Sequence, residues 1–408
     1  MYQPQGMIPF LDLVTLHREL EEELMALVRD CVRNAHFIGG KIVEDFEKDF
    51  AKFSNSKFCV GLASGTDAVR FALMAAGVKE GDLVATTPHT FIATTEAISQ
   101  VGARPVFVDI DEQTYNLDPR KLQAFFEQEC MWDVAKRVLT HKKLNRPVTA
   151  VVPVHLYGQM ADMDAILEIA GKYNLIVIED ACQAHGAKYF SKKQNCWRSA
   201  GSMGVAGAFS FYPGKNLGAC GEAGAITTDN EEIAKKIRMI RDHGQAKKYY
   251  HDIEGYNGRL DTIQAGMLSI KLKHLANWNE KRRALAMEYG RLFEDVEEFK
   301  IPVEPSYSKA VYHLYVVRVK NREKLQTELA AAMIGTGIHY PIPLHIQKAY
   351  AHLGYKAGDF PVTEKIAVEI LSLPMFPQLT HEQQIYIAEK LMQLATVSRE
   401  KEVLAEAR

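Results

Sequence analysis

A single lysine, Lys215, lies in the glycine-rich segment FYPGKNLGACGEAGAITT at residues 211–228, with no acidic residue beside it. The runs AGAFSFY before it and GAITT after it are short and apolar, which predicts two buried strands with a glycine-containing connection. Burial among apolar strands lowers the pKa of a lysine and increases the fraction of neutral, nucleophilic amine. Lys215 is therefore a candidate for imine formation with a carbonyl compound.

Asp180 is the candidate acid to accompany such an amine. It ends the apolar run LIVIED at residues 175–180, where a carboxylate is costly unless a cation or backbone N–H groups satisfy it. Ligands of open parallel sheets bind at the carboxyl ends of the strands. A core carboxylate satisfied by backbone N–H groups is the alternative. Gln183 and His185 follow on the turn, where a histidine among small residues is more often a hydrogen-bonded structural group.

A third segment, ASGTDAV at residues 63–69, lies where a strand gives way to a helix. Gly65 allows close backbone approach, and the N–H groups of Gly65, Thr66 and Asp67 would open a helix whose positive end favours an anion. Ordinary N-capping by Ser64 or Thr66 is the alternative. Dinucleotide and P-loop sites lack support, because neither glycine-rich signature is present at a strand end.

One cofactor, pyridoxal phosphate, would use all three segments. It needs a lysine amine for its imine, a carboxylate beside its ring nitrogen and a backbone-and-hydroxyl site for its phosphate. Lys215 and Asp180 supply the first two groups, while Gly65 and Thr66 could supply the third. Each segment alone is a weak signal, but the ordered set predicts this cofactor.

Composition limits the class of protein further. The chain has 408 residues, of which 47% are hydrophobic, so it can bury a large core. Its formal net charge of −2 offers no basic field to recruit nucleic acid or an anionic membrane. The six cysteines include no C-x-x-C pair, which favours reduced thiols over disulfides or a metal site. We therefore expect a cytoplasmic α/β protein without metal, nucleic-acid or membrane partners.

The helices and strands that must position these residues can be predicted from the pattern of apolar residues. Leucines and phenylalanines spaced by three and four predict helices in the first sixty residues. Strand-like and helix-like runs then alternate, which predicts a mostly parallel sheet with helices on both faces. Apart from the two runs around Lys215, the strand-like runs are residues 57–62, 83–87, 105–110, 149–156 and 175–180.

Two regions depart from this alternation. Residues 118–148 form a polar, partly basic insert, for which we predict a helix and a charged excursion exposed to water. Long helical runs follow Arg259, and strand-like YHLYVVRV after residue 310 indicates a smaller C-terminal domain. We divide the chain into a large cofactor-binding domain at 1–255, with an N-terminal helical arm, and a smaller domain at 256–408.

With these segments together, the chain resembles the DegT/DnrJ/EryC1/StrS family of pyridoxal-phosphate sugar aminotransferases. The most specific matches are IEDACQAHGA, FSFYPGKNLGA, DHG at 242–244 and NGRLDTIQAGML. The resemblance implies the fold-type I architecture: a large domain with a mostly parallel seven-stranded sheet and a smaller C-terminal α+β domain. It also implies a homodimer with active sites shared between subunits.

The resemblance assigns roles to the cofactor residues. By it, Lys215 is the Schiff-base lysine and the general base for a proton shift, and Asp180 pairs with the pyridinium nitrogen. Gln183 would lie near the ring hydroxyl, and Phe91 would stack on the ring. The implied phosphate contacts are Gly65, Thr66 and Ser210, together with Asn257 from the partner subunit.

The resemblance also implies a reaction. L-Glutamate would donate the amino group, pyridoxamine phosphate would carry it, and a dTDP- or UDP-linked keto-deoxysugar would accept it. The segment GTGIHYPIPLHIQKAY at residues 335–350 is similar to the sugar-site segment of members that aminate C3, which favours C3 over C4. The candidate substrate contacts are His185, Arg259, His339, Tyr340 and His345, with turn structure as the alternative for His339 and His345.

Other functions remain open within the same fold. A C4 aminotransferase or a keto-cyclitol aminotransferase would keep every cofactor residue, and a non-catalytic cofactor-binding regulator is less favoured. Lys215 argues against the family branch that has histidine there and acts as a dehydratase. Gly258 departs from the family, which usually has serine at that position.

Overall fold

The computed structural model describes residues 4, 6–294, 296 and 298–406, with the side chains of the last helix described through residue 395. Its helices are α1 (Leu13–Glu19), α2 (Glu21–Asn34), α3 (Lys41–Phe53), α4 (Gly65–Ala75), α5 (Ala93–Gln100), α6 (Pro119–Glu129), α7 (Met163–Lys172), α8 (Glu231–Arg241), α9 (Thr262–Leu292), α10 (Arg322–Ala331), α11 (Pro361–Glu369) and α12 (His381–Glu406). Its strands are β1 (Phe58–Leu62), β2 (Leu83–Thr86), β3 (Arg104–Phe107), β4 (Cys130–Asp133), β5 (Val138–His141), β6 (Arg146–Val151), β7 (Ile176–Asp180), β8 (Lys188–Ser191), β9 (Cys196–Ser199), β10 (Ala206–Ser210), β11 (Gly224–Thr228), β12 (Gln245–Lys247), β13 (Tyr250–His251), β14 (Phe299–Lys300), β15 (Ser308–Lys309), β16 (Tyr315–Val319) and β17 (Ile370–Leu373).

The main sheet has the strand order β1-β11-β10-β7-β6-β2-β3. From β10 to β3 every neighbouring pair is parallel, whereas β11 runs antiparallel to both β1 and β10. These are the seven strands that the apolar runs predict. The expected α/β class with a mostly parallel sheet is therefore confirmed.

Helices cover both faces of this sheet, which is why its strands are apolar on both sides. On one face α4, α5 and α8 pack against it, through side chains that include Ile98 and Ile237. On the other face α3, α6, α7 and α9 do so, through side chains that include Phe50, Ile166 and Leu268. No helix within the described residues combines the length and the apolarity needed to cross a membrane.

The insert at residues 118–148 differs from the prediction. Its helix, α6, is present, and the turns that follow are exposed to water as expected, but the segment is not an irregular excursion: β4 and β5 form an antiparallel hairpin, and β5 pairs with β6. Among the described residues the main sheet thus has nine strands rather than seven. Leu139 is buried on one face of the hairpin, and Trp132 packs edge-on against Tyr173. The other face carries Met131, Asp133, Val138 and Thr140, and the turns carry charged residues, so this short alternation is concealed in the sequence.

A second core lies toward the C-terminus. The antiparallel sheet β14-β16-β17 packs with α10 and α12 around apolar side chains that include Tyr289, Tyr315 and Leu371. The helix α9 joins the two cores, because Leu268 belongs to the first and Tyr289 to the second. A domain boundary after residue 255 stays a prediction.

The end of β7 carries two adjacent acids in different surroundings, and the first of them, Glu179, is fully buried. Its Oε2 accepts hydrogen bonds from His155 Nε2 at 2.8 Å and from the N–H of Gly201 at 2.9 Å. Its Oε1 accepts from the N–H groups of Met203 and Gly204, both at 2.7 Å. Burial opposes ionisation, but these donors outweigh it and lower the pKa of Glu179. Glu179 thus fixes the loop between β9 and β10 to the strand that ends in the second acid.

We predict that Glu179→Ala lowers the free energy of unfolding by about 3–5 kcal/mol, because it removes a buried ion and leaves its donors without an acceptor. The control is Glu168→Ala, which removes an exposed carboxylate paired with Lys193 and should change stability by less than about 1 kcal/mol. Chemical denaturation of both variants measures the difference. Equal stability of the two variants would contradict the structural role of Glu179.

Candidate active site

A cavity of about 570 Å³ opens at the carboxyl ends of β7 and β10 and the N-terminus of α4. This is the edge where ligands of parallel sheets bind. Most of the site residues predicted from the sequence line it, namely Gly65, Thr66, Phe91, Asp180, Gln183, Ser210, Lys215, His339 and Tyr340. No group of three or more His, Cys, Asp or Glu side chains in the described part of the chain could hold a metal ion.

Asp180 is the second acid of β7, and its carboxylate faces the cavity. Its Oδ2 accepts a hydrogen bond from Thr94 Oγ1 at 2.7 Å, and its Oδ1 accepts one from the Cys182 N–H at 3.2 Å. Asp180 is 6% exposed. An ionised carboxylate has about four acceptor positions. It therefore retains capacity for a donor in the cavity.

Lys215 lies half-buried on the loop that follows β10. The turn is closed by a hydrogen bond from its N–H to Tyr212 O at 2.8 Å. Burial lowers the pKa of the Lys215 amine, and the opposing charges of Cys182 and Asp180 only partly offset this effect. The described residues give Nζ no hydrogen-bond partner. The result is an amine with increased nucleophilic character at the cavity wall.

The start of α4 forms a close backbone cradle. Ser64 caps the helix by accepting a hydrogen bond from the Asp67 N–H at 3.1 Å. A Cβ added at Gly65 would lie 2.4 Å from Ser210 Cβ, so any larger residue there would displace the end of β10. The free N–H groups of this first turn lie at the positive end of the helix. An anion such as a phosphate group is favoured there.

Gln183 and Tyr340 form a hydrogen-bonded wall of the cavity. Gln183 Oε1 accepts from the Tyr157 N–H at 2.7 Å, which orients the amide so that Nε2 donates to Tyr340 Oη at 3.1 Å. The Phe91 ring lies 5.6 Å from the Tyr340 ring and is 54% exposed. Phe91 and Tyr340 thus provide aromatic surface around the space that Lys215 faces.

His339 lies on the same side of the cavity. Its Nδ1 is 2.9 Å from Ser372 Oγ, and its ring stacks on Phe10 at 5.4 Å between centroids. Burial lowers its pKa to about 4, with a further contribution from the charge of Lys215. His339 is therefore neutral near pH 7 and can act as a hydrogen-bonding group rather than a cation.

Two predicted histidines lie outside the described lining of the cavity. His185 is fully buried, and its Nε2 lies 2.8 Å from Ser210 O. His345 is 1% exposed, with Nε2 3.0 Å from Glu364 Oε1 and its ring against Phe360. These contacts favour the structural alternative for His345, and they give His185 an indirect role in holding the end of β10.

Asn257 and Arg259 also lie outside this cavity in the single chain. Asn257 forms an isolated bridge with Asp242, and Arg259 Nη1 lies 2.5 Å from Asp242 Oδ1. Gly258 between them is closely packed, because an added Cβ would lie 2.6 Å from Phe71 Cε2. This chain therefore fills with an aromatic ring the space that a serine side chain would need.

Sequence reasoning missed several residues that line the cavity, among them Thr94, Cys182 and His313. Thr94 holds Asp180, but in the run FIATTEAISQ it reads only as one of two threonines in a helix. Cys182 appears as a small residue in a turn, although its N–H donates to Asp180. His313 lines the cavity with Nδ1 3.3 Å from Asn216 Oδ1, and burial lowers its pKa well below the usual range. Only the fold, which brings α5 and the segment before β16 to β7, reveals these roles.

Comparison with known proteins decides the family. The model of the DegT/DnrJ/EryC1/StrS aminotransferase family matches residues 18–392. The chain belongs to the DegT/DnrJ/EryC1/StrS aminotransferase family. This membership confirms the resemblance noted in the sequence.

Three relatives and solved structures are similar to this chain over nearly its whole length. A "Pleiotropic regulatory protein" of Geobacillus stearothermophilus is 45% identical over 94% of this chain and 97% of its own length. The dTDP-3-amino-3,4,6-trideoxy-alpha-D-glucose transaminase of Streptomyces venezuelae is 38% identical over 95% of this chain and 96% of its own. The crystal structure of S. venezuelae DesV in complex with a ketimine intermediate superposes with a TM-score of 0.88 at 37% identity, covering 96% of this chain and 99% of that one. The fold-type I architecture is thereby confirmed.

The cavity fits the cofactor that this aminotransferase family implies, pyridoxal phosphate. The glycine cradle at the start of α4 suits its phosphate, Asp180 has free acceptor capacity for a ring N–H, and Lys215 presents an amine without a described hydrogen-bond partner. These three groups line one cavity, as its chemistry requires. The cofactor prediction is therefore supported by the family and by the residues together.

We predict that Thr94→Val weakens pyridoxal phosphate binding by about 5–30-fold, because Asp180 loses a charge-assisted hydrogen bond of about 1–2 kcal/mol. The matched control is Thr95→Val, whose hydroxyl donates to Ile92 O instead. Titrating each cofactor-free variant with pyridoxal phosphate gives the dissociation constants. If the two variants bind equally, Thr94 does not hold Asp180 for the cofactor.

Proposed function

We propose that this chain transfers the amino group of L-glutamate to the C3 keto group of a dTDP- or UDP-linked deoxysugar. In this proposal pyridoxal phosphate is the cofactor, and its pyridoxamine form carries the amino group between half-reactions. The observation that carries the proposal is the convergence of the Lys215 amine, the Asp180 carboxylate and the start of α4 on one cavity.

The chain's own residues divide the work. The lowered pKa of Lys215 makes its Nζ able to accept a proton and return it within the cavity, which general acid–base catalysis requires. Asp180 would hold the proton of the cofactor ring nitrogen, while the first turn of α4 would anchor the phosphate. When bound, pyridoxal phosphate supplies the electron sink and the carrier for the amino group. Hydrogen bonds from Thr94 Oγ1 and the Cys182 N–H orient the Asp180 carboxylate.

The acceptor is inferred from the family and from the neutral wall of the cavity. The S. venezuelae relative is a transaminase of a dTDP-linked 3-amino sugar. In this chain His339 and Tyr340 face the cavity with an imidazole and a phenol, which can hydrogen-bond the uncharged hydroxyls of a sugar. Donors and acceptors of this kind suit a sugar rather than an acyl chain.

A regulatory role is the second candidate, because one relative is named a regulatory protein. A protein that only sensed the cofactor would not need a nucleophilic amine in the same cavity as a carboxylate that can still accept hydrogen bonds. The presence of both Lys215 and Asp180 there favours catalysis.

We further infer that the working unit is a homodimer located in the cytoplasm. A second cavity, of about 700 Å³, is lined by Ile38 and Arg259 among others. Apolar side chains near it are unusually exposed, with Phe37 at 47% and Ile38 at 60%. A second copy of the chain would cover this surface and bring Asn257 toward an active site.

The test combines both half-reactions. Holoenzyme mixed with L-glutamate should lose its visible cofactor absorbance and release 2-oxoglutarate, and a 3-keto nucleotide sugar should then restore the absorbance. Lys215→Ala should slow turnover by about 10²–10⁴-fold, since it removes the proton-transferring group. Lys273→Ala, an exposed lysine on α9, is the control and should retain full activity.

The outcomes separate the alternatives. Restoration by 4-keto sugars or keto-cyclitols but not by 3-keto sugars would move the reaction to those acceptors. Bound cofactor that does not respond to L-glutamate or to other amino donors would contradict an aminotransferase and favour the regulatory role.

A further inference from the structure

Three reactive side chains meet on the loop that follows Lys215. Cys220 Sγ lies 3.5 Å from His17 Nε2 and 3.8 Å from Lys271 Nζ. Lys271 Nζ in turn lies 2.7 Å from His17 Nε2. The three residues come from the active-site loop, from α1 and from the middle of α9, so only the folded chain brings them together.

Lys271 is the unusual member of this cluster, because it is a lysine only 1% exposed. Its recorded contacts within the described residues are His17, Cys220 and Gly218 O, and none of them is a carboxylate. A buried ammonium without a counter-charge is costly. The Cys220 sulfur is the group in contact with it that can become an anion. The geometry therefore favours a thiolate at Cys220.

The other groups around the Cys220 sulfur also favour the thiolate over the thiol. The hydrogen bond from His17 lowers the pKa of Cys220, the charge of Lys271 lowers it further, and partial burial opposes both. His17 Nδ1 lies 2.6 Å from Leu13 O, an acceptor, so Nδ1 carries a proton. As an imidazolium, His17 donates from Nε2 to the Cys220 sulfur, and as a neutral ring it accepts at Nε2 from Lys271, so either state leaves a cation beside the sulfur. The remaining contact from α9 is the neutral amide of Gln264, whose Oε1 accepts from the Cys220 N–H at 2.8 Å.

Cys220 is also open to solvent and mechanically linked to the active site. Cys220 is exposed, whereas Lys271, which contacts its sulfur, is buried. Lys271 Nζ donates to Gly218 O at 2.8 Å, which fixes the turn carrying Lys215. His17, Lys271 and Lys215 line the same small cavity. Lys271 therefore contacts both the Cys220 sulfur and the loop that bears Lys215.

We propose that Cys220 is a nucleophilic thiolate and a site of reversible mixed-disulfide formation with small-molecule disulfides. The Cys220 thiolate attacks one sulfur of R–S–S–R, a new S–S bond forms between Cys220 and that sulfur, and the original S–S bond of the small molecule breaks to release R–S⁻. Cys220 is oxidised, and the released R–S⁻ is reduced and takes its proton from water. A free thiol reverses the exchange by the same steps.

The modification would change the active-site loop. Forming the mixed disulfide removes the anion beside Lys271, so the buried ammonium loses its counter-charge and its hold on Gly218 O weakens. The added group also lies on the surface of the loop that bears Lys215. We expect reduced transamination in the modified enzyme, and this consequence rests on the proposed function whereas the thiolate itself does not.

Reactivity of native holoenzyme with iodoacetamide tests the thiolate, with modification of each cysteine followed by peptide mass spectrometry. Cys196 is the internal control, because it is also exposed and its sulfur contacts only the amide of Gln194 among the described residues. At pH 7 we expect Cys220 to react at least about threefold faster than Cys196, with the difference shrinking as the pH rises and both become thiolates. Equal rates at pH 7, or the same pH dependence, would overturn the proposal.

Variants identify the cause of the reactivity. Lys271→Met should abolish the advantage of Cys220, whereas Lys273→Met, an exposed lysine two residues along the same helix, should preserve it. If Lys271→Met does not fold, His17→Gln removes the other partner of the sulfur and should reduce the advantage. If Cys220 still reacts faster than Cys196 after Lys271 and His17 are replaced, these two residues are not the cause of its reactivity.

Glutathione disulfide is the probe for the exchange itself. We expect one glutathionyl group on the peptide that contains Cys220, its removal by dithiothreitol, and a parallel loss and recovery of the reaction with L-glutamate. Cys220→Ser also lacks the anion, so it should start with lower activity than the unmodified enzyme, and that activity should not change on treatment with glutathione disulfide or dithiothreitol. Modification of Cys220 without loss of activity would overturn the link to Lys215, and no modification of the folded protein would overturn the exchange. A holoenzyme inactive with amino donors before treatment would instead indicate failure of the proposed function, while the iodoacetamide result stands independently.

Discussion

A carboxylate at the end of a buried parallel strand is the constraint on which the site depends. Two consecutive acids end β7, and the alternation of the strand sends their side chains to opposite faces of the sheet. Glu179 is saturated by His155 and three backbone N–H groups, so it can serve only the fold. Asp180 receives a hydroxyl and one N–H and keeps acceptor capacity toward the cavity. The same strand therefore provides both an anchor and a reactive position.

The lysine loop is fixed from several sides around that carboxylate. Its turn is closed by backbone hydrogen bonds, and Gly218 packs so tightly that an added Cβ would lie 2.2 Å from Pro213 O. Lys271 then holds Gly218 from α9. Two lysines with pKa values lowered by burial thus flank one short loop, and they differ in what they face. Lys215 faces an open cavity, whereas Lys271 faces a carbonyl oxygen, an imidazole and the Cys220 sulfur.

A feature could be predicted from the sequence when it depends on residues that are close together in the chain. Strands such as LIVIED were predictable because burial on both faces requires a continuous apolar run. The place of Lys215 at the cavity could be anticipated because a charge between such runs is an anomaly. The hairpin β4–β5 was not, since its two strands are only four residues each, are joined by a charged turn and reach the main sheet through β6. Thr94 and His313 could not be found either, because their roles depend on contacts between elements that are distant in the chain.

Lys215 is the central assignment, as the amine that bonds the cofactor. Reduction of the holoenzyme with borohydride, followed by peptide mapping, tests this assignment most directly. Reduction makes the lysine–cofactor bond permanent and marks the residue that formed it. The structure predicts a single pyridoxyl group on the peptide that contains Lys215. A label on the peptide that contains Lys271, or no label on the reduced holoenzyme, would contradict the assignment of the cavity as the cofactor site.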